Sequence, residues 1–269
     1  QPTKTELDAY SCRHGLGYTI LTGEKNGIRA QQELFVPRGD ACEIDRLTLE
    51  NKTDAPRTLD VFSYVEFCLW DAMDDSSNFQ RNFSTGEVEV VGSAIYHKTE
   101  YRERRDHYAV FWANTPVTSF DTARDAFCGV YGGPAEPEAV KAGRCSNSIA
   151  HGWAPVGAHH FHLTLEAGET RTILFGLGYI ENPVDEKFTA PGVINKTRAE
   201  AMMARYATDA QVDEARRALA DHWEKLLSTL QLHSGDEKLD RMVNLWHQYQ
   251  CMVTFNMSRS ASYYESGIG

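Results

Sequence analysis

The stretch from Ser234 to Gly269 constrains this chain most, because helix signals and polar loop chemistry follow one another there without a break. It opens on Ser234-Gly235-Asp236-Glu237, the order of a capping box, in which serine and glutamate satisfy each other's backbone amides at a helix start. Leu239, Met242, Val243, Trp246, Tyr249 and Val253 then recur at helical spacing, with Leu245, Met252 and Phe255 as a second stripe beside them. Two apolar stripes on one helix predict burial on more than one side, inside a larger helical assembly. From Ser258 to Gly269 the residues are hydroxyls, one arginine, one glutamate, two tyrosines and glycines. That mixture suits a pocket for a polyhydroxylated, anionic ligand. With so much apolar surface and nothing following to bury it, the chain reads as a fragment of a longer protein.

Bulk properties narrow the class. The 269 residues are enough for one large domain, or one domain and part of another. A hydrophobic share of 42% supports a real core. A net charge of -11 argues against nucleic acid or an acidic membrane surface as partner. No apolar run approaches a membrane span, and no secretory signal opens the sequence. Cys12, Cys42, Cys68, Cys128, Cys145 and Cys251 form no C-x-x-C pair, so they read as buried free thiols in a reducing, cytoplasmic compartment. The sequons at Asn51, Asn82, Asn195 and Asn256 are then chance matches.

The first two thirds of the chain reads as β. Gly17–Thr22, Ile28–Val36, Ile44–Leu49 and the long Leu59–Leu69 carry strand patterns separated by Gly-, Pro- and Asn-bearing turns. In the last of these, Leu59, Val61, Val65 and Phe67 share one face. Glu87–Val91, Ala94–Lys98, His107–Ala113 and Val117–Phe120 add strands, and Phe161–Leu165 with Thr172–Gly178 reads as a hairpin around Glu166–Thr170. Many short strands with frequent turns predict a β-sandwich. After Asn182-Pro183 the period becomes helical through Ala199, Met202, Met203 and Tyr206. Thr208-Asp209-Ala210-Gln211 is a second capping box, ahead of Val212, Ala215, Leu219, Trp223, Leu226 and Leu230. The layout is a sandwich over residues 1–190, a helical linker over 191–232 and the first helix of a further domain over 233–269.

Several clusters tempt a chemical reading. His160 and His162 would share a strand face beside His159, but two ligands do not close a metal site and no metal is expected. Arg102, Arg104 and Arg105 are offset within their own run by Glu100, Glu103 and Asp106, as on a solvated or inter-domain ion-pair face. Asp71, Asp74 and Asp75 offer a glycosidase-type carboxylate pair, against the plainer reading of an acidic turn. Asn78-Phe79-Gln80-Arg81-Asn82 sets amides and a guanidinium around one aromatic ring, a composition suited either to a sugar or to an ordinary polar loop.

Longer runs carry a family resemblance. Arg13–Tyr18, Tyr64–Trp70, Asn78–Asn82, Ile95–Arg105 and above all Asn244–Gly269 resemble cellobiose phosphorylase, of the inverting glycoside phosphorylases in glycoside hydrolase family 94. The resemblance implies an N-terminal β-sandwich, a helical linker and a catalytic six-hairpin α/α barrel, of which only the first helix is present. It implies reversible phosphorolysis of cellobiose to α-glucose 1-phosphate and glucose, without a cofactor, by a homodimer. By that resemblance Arg259 matches an arginine that binds phosphate. Arg81 matches one that binds the acceptor-side glucose, with Gln80 beside it. The catalytic acid belongs past Gly269, so no catalytic residue is expected within the sequence. A cellodextrin phosphorylase, an inverting hydrolase with a second carboxylate as base, and a non-catalytic sugar-binding or dimer-forming sandwich are the alternatives.

Overall fold

Alternation along a strand sends successive side chains to opposite faces of its sheet, and here that division builds two layers. A computed structural model of the chain describes residues 5–67, 86–99, 107–152 and 154–257. They fall into two compact units, Gln1–Ala215 and Arg216–Gly269.

The first unit is a β-sandwich. Its larger layer is an antiparallel sheet of nine strands. In order across the sheet they are β1 (Ala9–Gly15), β2 (Tyr18–Lys25), β3 (Ile28–Phe35), β4 (Cys42–Asn51), β12 (Thr170–Glu181), β8 (His107–Ala113), β7 (Ala94–Thr99), β6 (Gly86–Val91) and β10 (His151–Gly152). The smaller layer has three strands, β5 (Arg57–Glu66), β11 (Pro155–Leu165) and β9 (Ser119–Ala123). Leu49, Phe111, Ile173 and Phe175 of the large sheet meet Phe161, Leu163 and Leu165 of β11 across the gap. Leu59, Val61, Val65 and Phe67 pack beside them as one face, as their spacing predicts.

The expected hairpin around Glu166–Thr170 is not one. The turn itself forms, with the Glu169 amide donating to the Glu166 carbonyl at 3.0 Å. Its two strands part, however: β11 pairs with β5 and β9, whereas β12 pairs with β4 and β8. Phe161, Leu163 and Leu165 thereby face Ile173 and Phe175 across the core; side by side in one sheet, both sets would need a third layer. Asn51, wholly buried, fastens this corner. Its Nδ2 donates to the carbonyls of Ala55, Leu165 and Glu166 at 2.8, 3.1 and 3.0 Å, and its Oδ1 accepts from the Thr53 amide.

Each layer is covered outside. Helices α1 (Arg124–Cys128) and α2 (Glu138–Ala142) set Phe127, Cys128 and Ala139 on Ala158, Phe62 and Tyr64 of the small sheet. On the large sheet an arm carries β13 (Phe188–Ala190), β14 (Val193–Ile194) and α3 (Thr197–Ala204). The Tyr108 hydroxyl donates to Asn195 O at 3.0 Å, and Lys98 Nζ to Gly192 O at 2.6 Å. Gly178 lets α3 sit close, since a Cβ there would lie 2.7 Å from Met202 Sδ. Among the described residues three thiols, Cys42, Cys128 and Cys145, are buried as expected, but Cys12 and Cys251 are exposed; Cys68 lies outside the described residues. No described helix is long and apolar enough to cross a membrane.

Helix α4 (Asp209–Leu227) opens on the expected capping box, Thr208 and Gln211 bonding reciprocally. The second unit holds its later turns, α5 (Glu237–Arg241), a π-turn at Met242–His247 and α6 (Gln248–Met257). Its cap differs from expectation. Asp236, not Ser234, accepts from the Lys238 and Leu239 amides, while the Ser234 hydroxyl donates to Asp240 at 2.7 Å. A carboxylate one residue before the helix meets the first free amides more directly than a hydroxyl further back.

Two buried histidines make the sandwich acid-sensitive. His97 stacks on Phe67 at 4.8 Å, and His159 on Phe111 at 4.7 Å. Burial, with His107 adding to it at His97, pulls each pKa down to about 4. Both rings are therefore neutral in the folded state, while the unfolded chain takes up protons below about pH 6.5. Their contribution to stability is complete above that pH and falls by about 1.4 kcal/mol per pH unit for each histidine on the way down to pH 4, partly offset by the raised Asp45 carboxyl, which acts with the opposite sign. Urea titrations between pH 7 and 4.5 should show this slope, and His159→Leu should remove roughly one histidine's share of it. An unaltered slope in the variant would mean that His159 is protonated in the folded protein.

Candidate functional site

Gln80, Arg81 and Arg259 lie outside the described residues, as do Asp71, Asp74, Asp75, Asn78, Asn82 and the run Glu100–Asp106. The elements that lead to them are on view. Strand β5 ends at Glu66, whose carboxylate accepts from Tyr64 Oη at 2.5 Å and from Arg124 Nε at 3.2 Å. Phe67 follows, its ring parallel to His97 within 3°. An ion pair, a phenol and a ring stack thus anchor the chain just before the segment that contains Gln80 and Arg81. At the other end, α6 runs to Met257, two residues before Arg259.

The described residues also hold a linked set that sequence spacing only half revealed. His160 and His162 do share a strand face, and the register of β11 on β5 brings Asp60 opposite His162. Asp60 Oδ1 accepts from His160 Nε2 and His162 Nδ1, both at 2.8 Å. The other side of the His160 ring, Nδ1, lies 2.9 Å from Ser119 Oγ, which itself accepts from the Cys145 amide at 3.1 Å. One tautomer satisfies every partner: His160 donates from Nε2 and takes the Ser119 proton at Nδ1. Hydrogen bonds from His162 and then His160 hold the Asp60 carboxyl below the usual carboxylate range.

Serine, histidine and aspartate in this order imitate an acyl-transfer triad, but the hydroxyl is shut in. Ser119 is only 8% exposed, and its oxygen is used twice within the fold. Among the described residues no group of three His, Cys, Asp or Glu is arranged to hold a metal. The set is a structural tie between β5, β9 and β11. Sequence reading found its histidines but not its carboxylate, because Asp60 stands a hundred residues away from His160 and only strand pairing joins them.

A groove of about 610 Å³ runs between β5 and the inner face of β3 and β4, lined by Ile28, Gln32, Asp45, Leu47, Leu59 and Val61 among others. Burial pushes the Asp45 carboxyl up to about 6, against a 2.6 Å hydrogen bond from Gln32 Nε2 that acts the other way. A perturbed acid in a groove is the usual mark of acid–base chemistry. Glu43 and Asp60 line the same groove; Glu43 adds to the rise at Asp45, and Asp60 is already engaged by His160 and His162.

Comparison with known proteins places the chain. Residues 1–209 match the family model described as glycosyl hydrolase 94, supersandwich domain, and residues 222–269 match the glycosyl hydrolase 94 superfamily, catalytic domain. An N,N'-diacetylchitobiose phosphorylase of Vibrio furnissii is 33% identical over 99% of this chain. A solabiose phosphorylase of Paenibacillus borealis is 29% identical over 96% of it. The chain spans 32% of the length of each of these relatives. Among solved structures, a bacterial glucoamylase complexed with acarbose superposes with a TM-score of 0.52 at 10% identity, over 82% of this chain and 29% of that one. A putative kojibiose phosphorylase from human microbiome gives 0.50 at 12%, over 81% and 25%. At such identities the likeness is one of fold.

The Asp60 tie can be tested by which member is missed. Asp60→Ala leaves the His160 donor buried and unpaired, so a loss of about 1–3 kcal/mol is expected in denaturant unfolding. His162, 56% exposed at its side chain, should cost less than about 0.5 kcal/mol when replaced by alanine. Equal losses would show that the pairing with exposed His162, rather than buried His160, carries the energy.

Proposed function

Because this chain belongs to glycosyl hydrolase family 94, we propose that the complete protein is an inverting phosphorylase that converts cellobiose and phosphate to α-D-glucose 1-phosphate and D-glucose. The observation that carries the reading is the run Asn244–Gly269, whose resemblance to cellobiose phosphorylase falls in the stretch that matches the catalytic domain. The relatives above are named for other disaccharides, so the choice of cellobiose rests on the resemblance of this run and of Asn78–Asn82.

The chemistry asks little covalent work of the protein. A phosphate oxygen attacks the anomeric carbon from the face opposite the glycosidic bond, that bond breaks, and a carboxylic acid gives its proton to the departing glucose oxygen. Phosphate is already anionic and needs no general base. It must be gripped and water kept out. In this proposal Arg259 grips it, with the neighbouring serine hydroxyls and loop amides. Arg81 and Gln80 hold the acceptor-side glucose, and the acid comes from chain beyond Gly269. The protein acts as a homodimer in the cytoplasm without a cofactor.

In the complete protein, glucose 1-phosphate should form from cellobiose only when phosphate is present. N,N'-diacetylchitobiose should be a much poorer substrate. Arg259→Ala should raise KM for phosphate by about one to two decades, the worth of a charge-assisted contact of roughly 1.5–3 kcal/mol, and leave KM for cellobiose nearly unchanged. Lysine should rescue in part, as a point charge replaces a fork. Glucose release without phosphate would make the protein a hydrolase, and an unchanged phosphate KM would remove Arg259 from the site.

A further inference from the structure

The small layer of the sandwich stops short. At about 4.8 Å between strands, its three strands span about 10 Å, against about 38 Å for the nine of the large sheet. On one side its last strand is β5, which pairs with β11 alone. Beyond β5 the large sheet runs on through β3, β2 and β1, and the groove described above opens at that step. Ile28, Ala30 and Leu47 along it, and Leu59 and Val61 of β5, are apolar side chains left half-buried.

The backbone of β5 is open on the same side. In β11, the His160 carbonyl accepts from the Thr118 amide at 2.8 Å, and the His162 amide donates to Thr118 Oγ1 at 2.9 Å. Both residues thus turn their backbone towards β9. Phe62 and Asp60, which stand opposite them on β5, therefore turn theirs to the open edge. Among the described residues no backbone hydrogen bond meets that edge. An edge of this kind is a template for one more strand. A side chain asks for the same visitor. Asp45 Oδ2 takes a hydrogen bond from Gln32, but Oδ1 is buried beside the groove without a donor, a costly state for a carboxylate oxygen.

Direction selects the occupant. Two connections already cross between the layers at one end of the sandwich, β4 to β5 past Asn51 and β11 to β12 past Glu166. Leu7 lines the groove at this end. There Asp8 accepts from the Asn26 amide at 2.9 Å, and Arg57, at the start of β5, donates to Asn26 O at 2.8 Å. Chain reaching Leu7 along the groove would run antiparallel to β5 and cross to β1 beside the other two connections. A second copy cannot offer its own sheet edge here, because layers about 10 Å apart admit one strand without its flanking sheet. We infer that the groove seats a fourth strand of the small layer, an extended, alternately apolar segment of the complete protein that leads into Leu7 and donates a hydrogen bond to Asp45. The chain spans 32% of the length of its curated relatives, which carry the rest outside this stretch. Attachment to β1 holds such a segment beside β5 at an effective concentration that a free peptide lacks.

The test is a cross-link in the complete protein. Glu43, exposed on the groove, is changed in Glu43→Cys, labelled with a benzophenone maleimide and irradiated, and the joined peptide is identified by mass. It should come from chain upstream of Leu7, within a single polypeptide. Gln32→Cys, half-buried on the same wall, gives an independent readout. Iodoacetamide should modify this thiol slowly in the complete protein, and deletion of the upstream segment should speed the modification about tenfold or more. A cross-link to the partner subunit, to a segment downstream of Met257 or to no peptide would overturn the inference, as would a Gln32→Cys thiol that is reactive from the outset. If the deletion variant does not fold, the identity of the cross-linked peptide decides.

Discussion

Aromatic rings buried between two sheets hold the first unit together, and most of what surrounds them follows from keeping those rings covered. Phe111 and Phe175 come from the large sheet, His159 and Phe161 from the small one, with centroids 4.7 Å apart for Phe111–His159 and 5.7 Å for Phe161–Phe175. Area removed from water, not interlayer hydrogen bonding, supplies the attraction. That attraction needs β11 and β12 in opposite layers. The turn between them and the Asn51 amide beneath it are accordingly built into the fold as a corner, with the Leu165 and Glu166 carbonyls there each given a donor. A histidine can sit among the rings only as a neutral base, which makes the packing a proton-sensitive one.

Much of this was legible in the sequence. Most strands announce themselves by alternation, and the Leu59–Phe67 face and the Thr208–Gln211 cap stand where pattern puts them. The misses share a physical cause, information that lies outside the local window. Strand β1 runs through Tyr10, Cys12 and His14 and is exposed along its length, so no apolar period marks it. Helices α1 and α2 have five residues each and no side-chain cap. The β11–β12 crossover has the turn chemistry of a hairpin, and only the partners each strand finds elsewhere separate the two outcomes. Asp60 meets its histidines through register, and the Met242–His247 π-turn is bonded through Asn244 and Gln248 to Leu232 and the end of α4, neither of which a helical wheel contains.

The candidate ligand residues were legible in another way. Gln80, Arg81 and Arg259 emerge from resemblance of motifs, since an arginine between hydroxyls has no period to betray its role. What the fold contributes is the approach to them. Glu66 with Arg124 and Tyr64, and Phe67 on His97, fix the chain before residue 68. Asn244, bonded to both backbone groups of Leu232, and Gln248, donating to the Leu227 carbonyl, brace the helix before residue 258. Both approaches are held by polar satisfaction as much as by burial.

The most direct measurement is proton NMR of the complete protein acting on cellobiose and phosphate, read at the first moments of turnover. Inverting phosphorolysis predicts that the first glycosyl product is α-glucose 1-phosphate, its anomeric proton carrying the small α coupling and a further splitting from phosphorus. Appearance of free β- or α-glucose from the non-reducing unit without any phosphorylated sugar would contradict it.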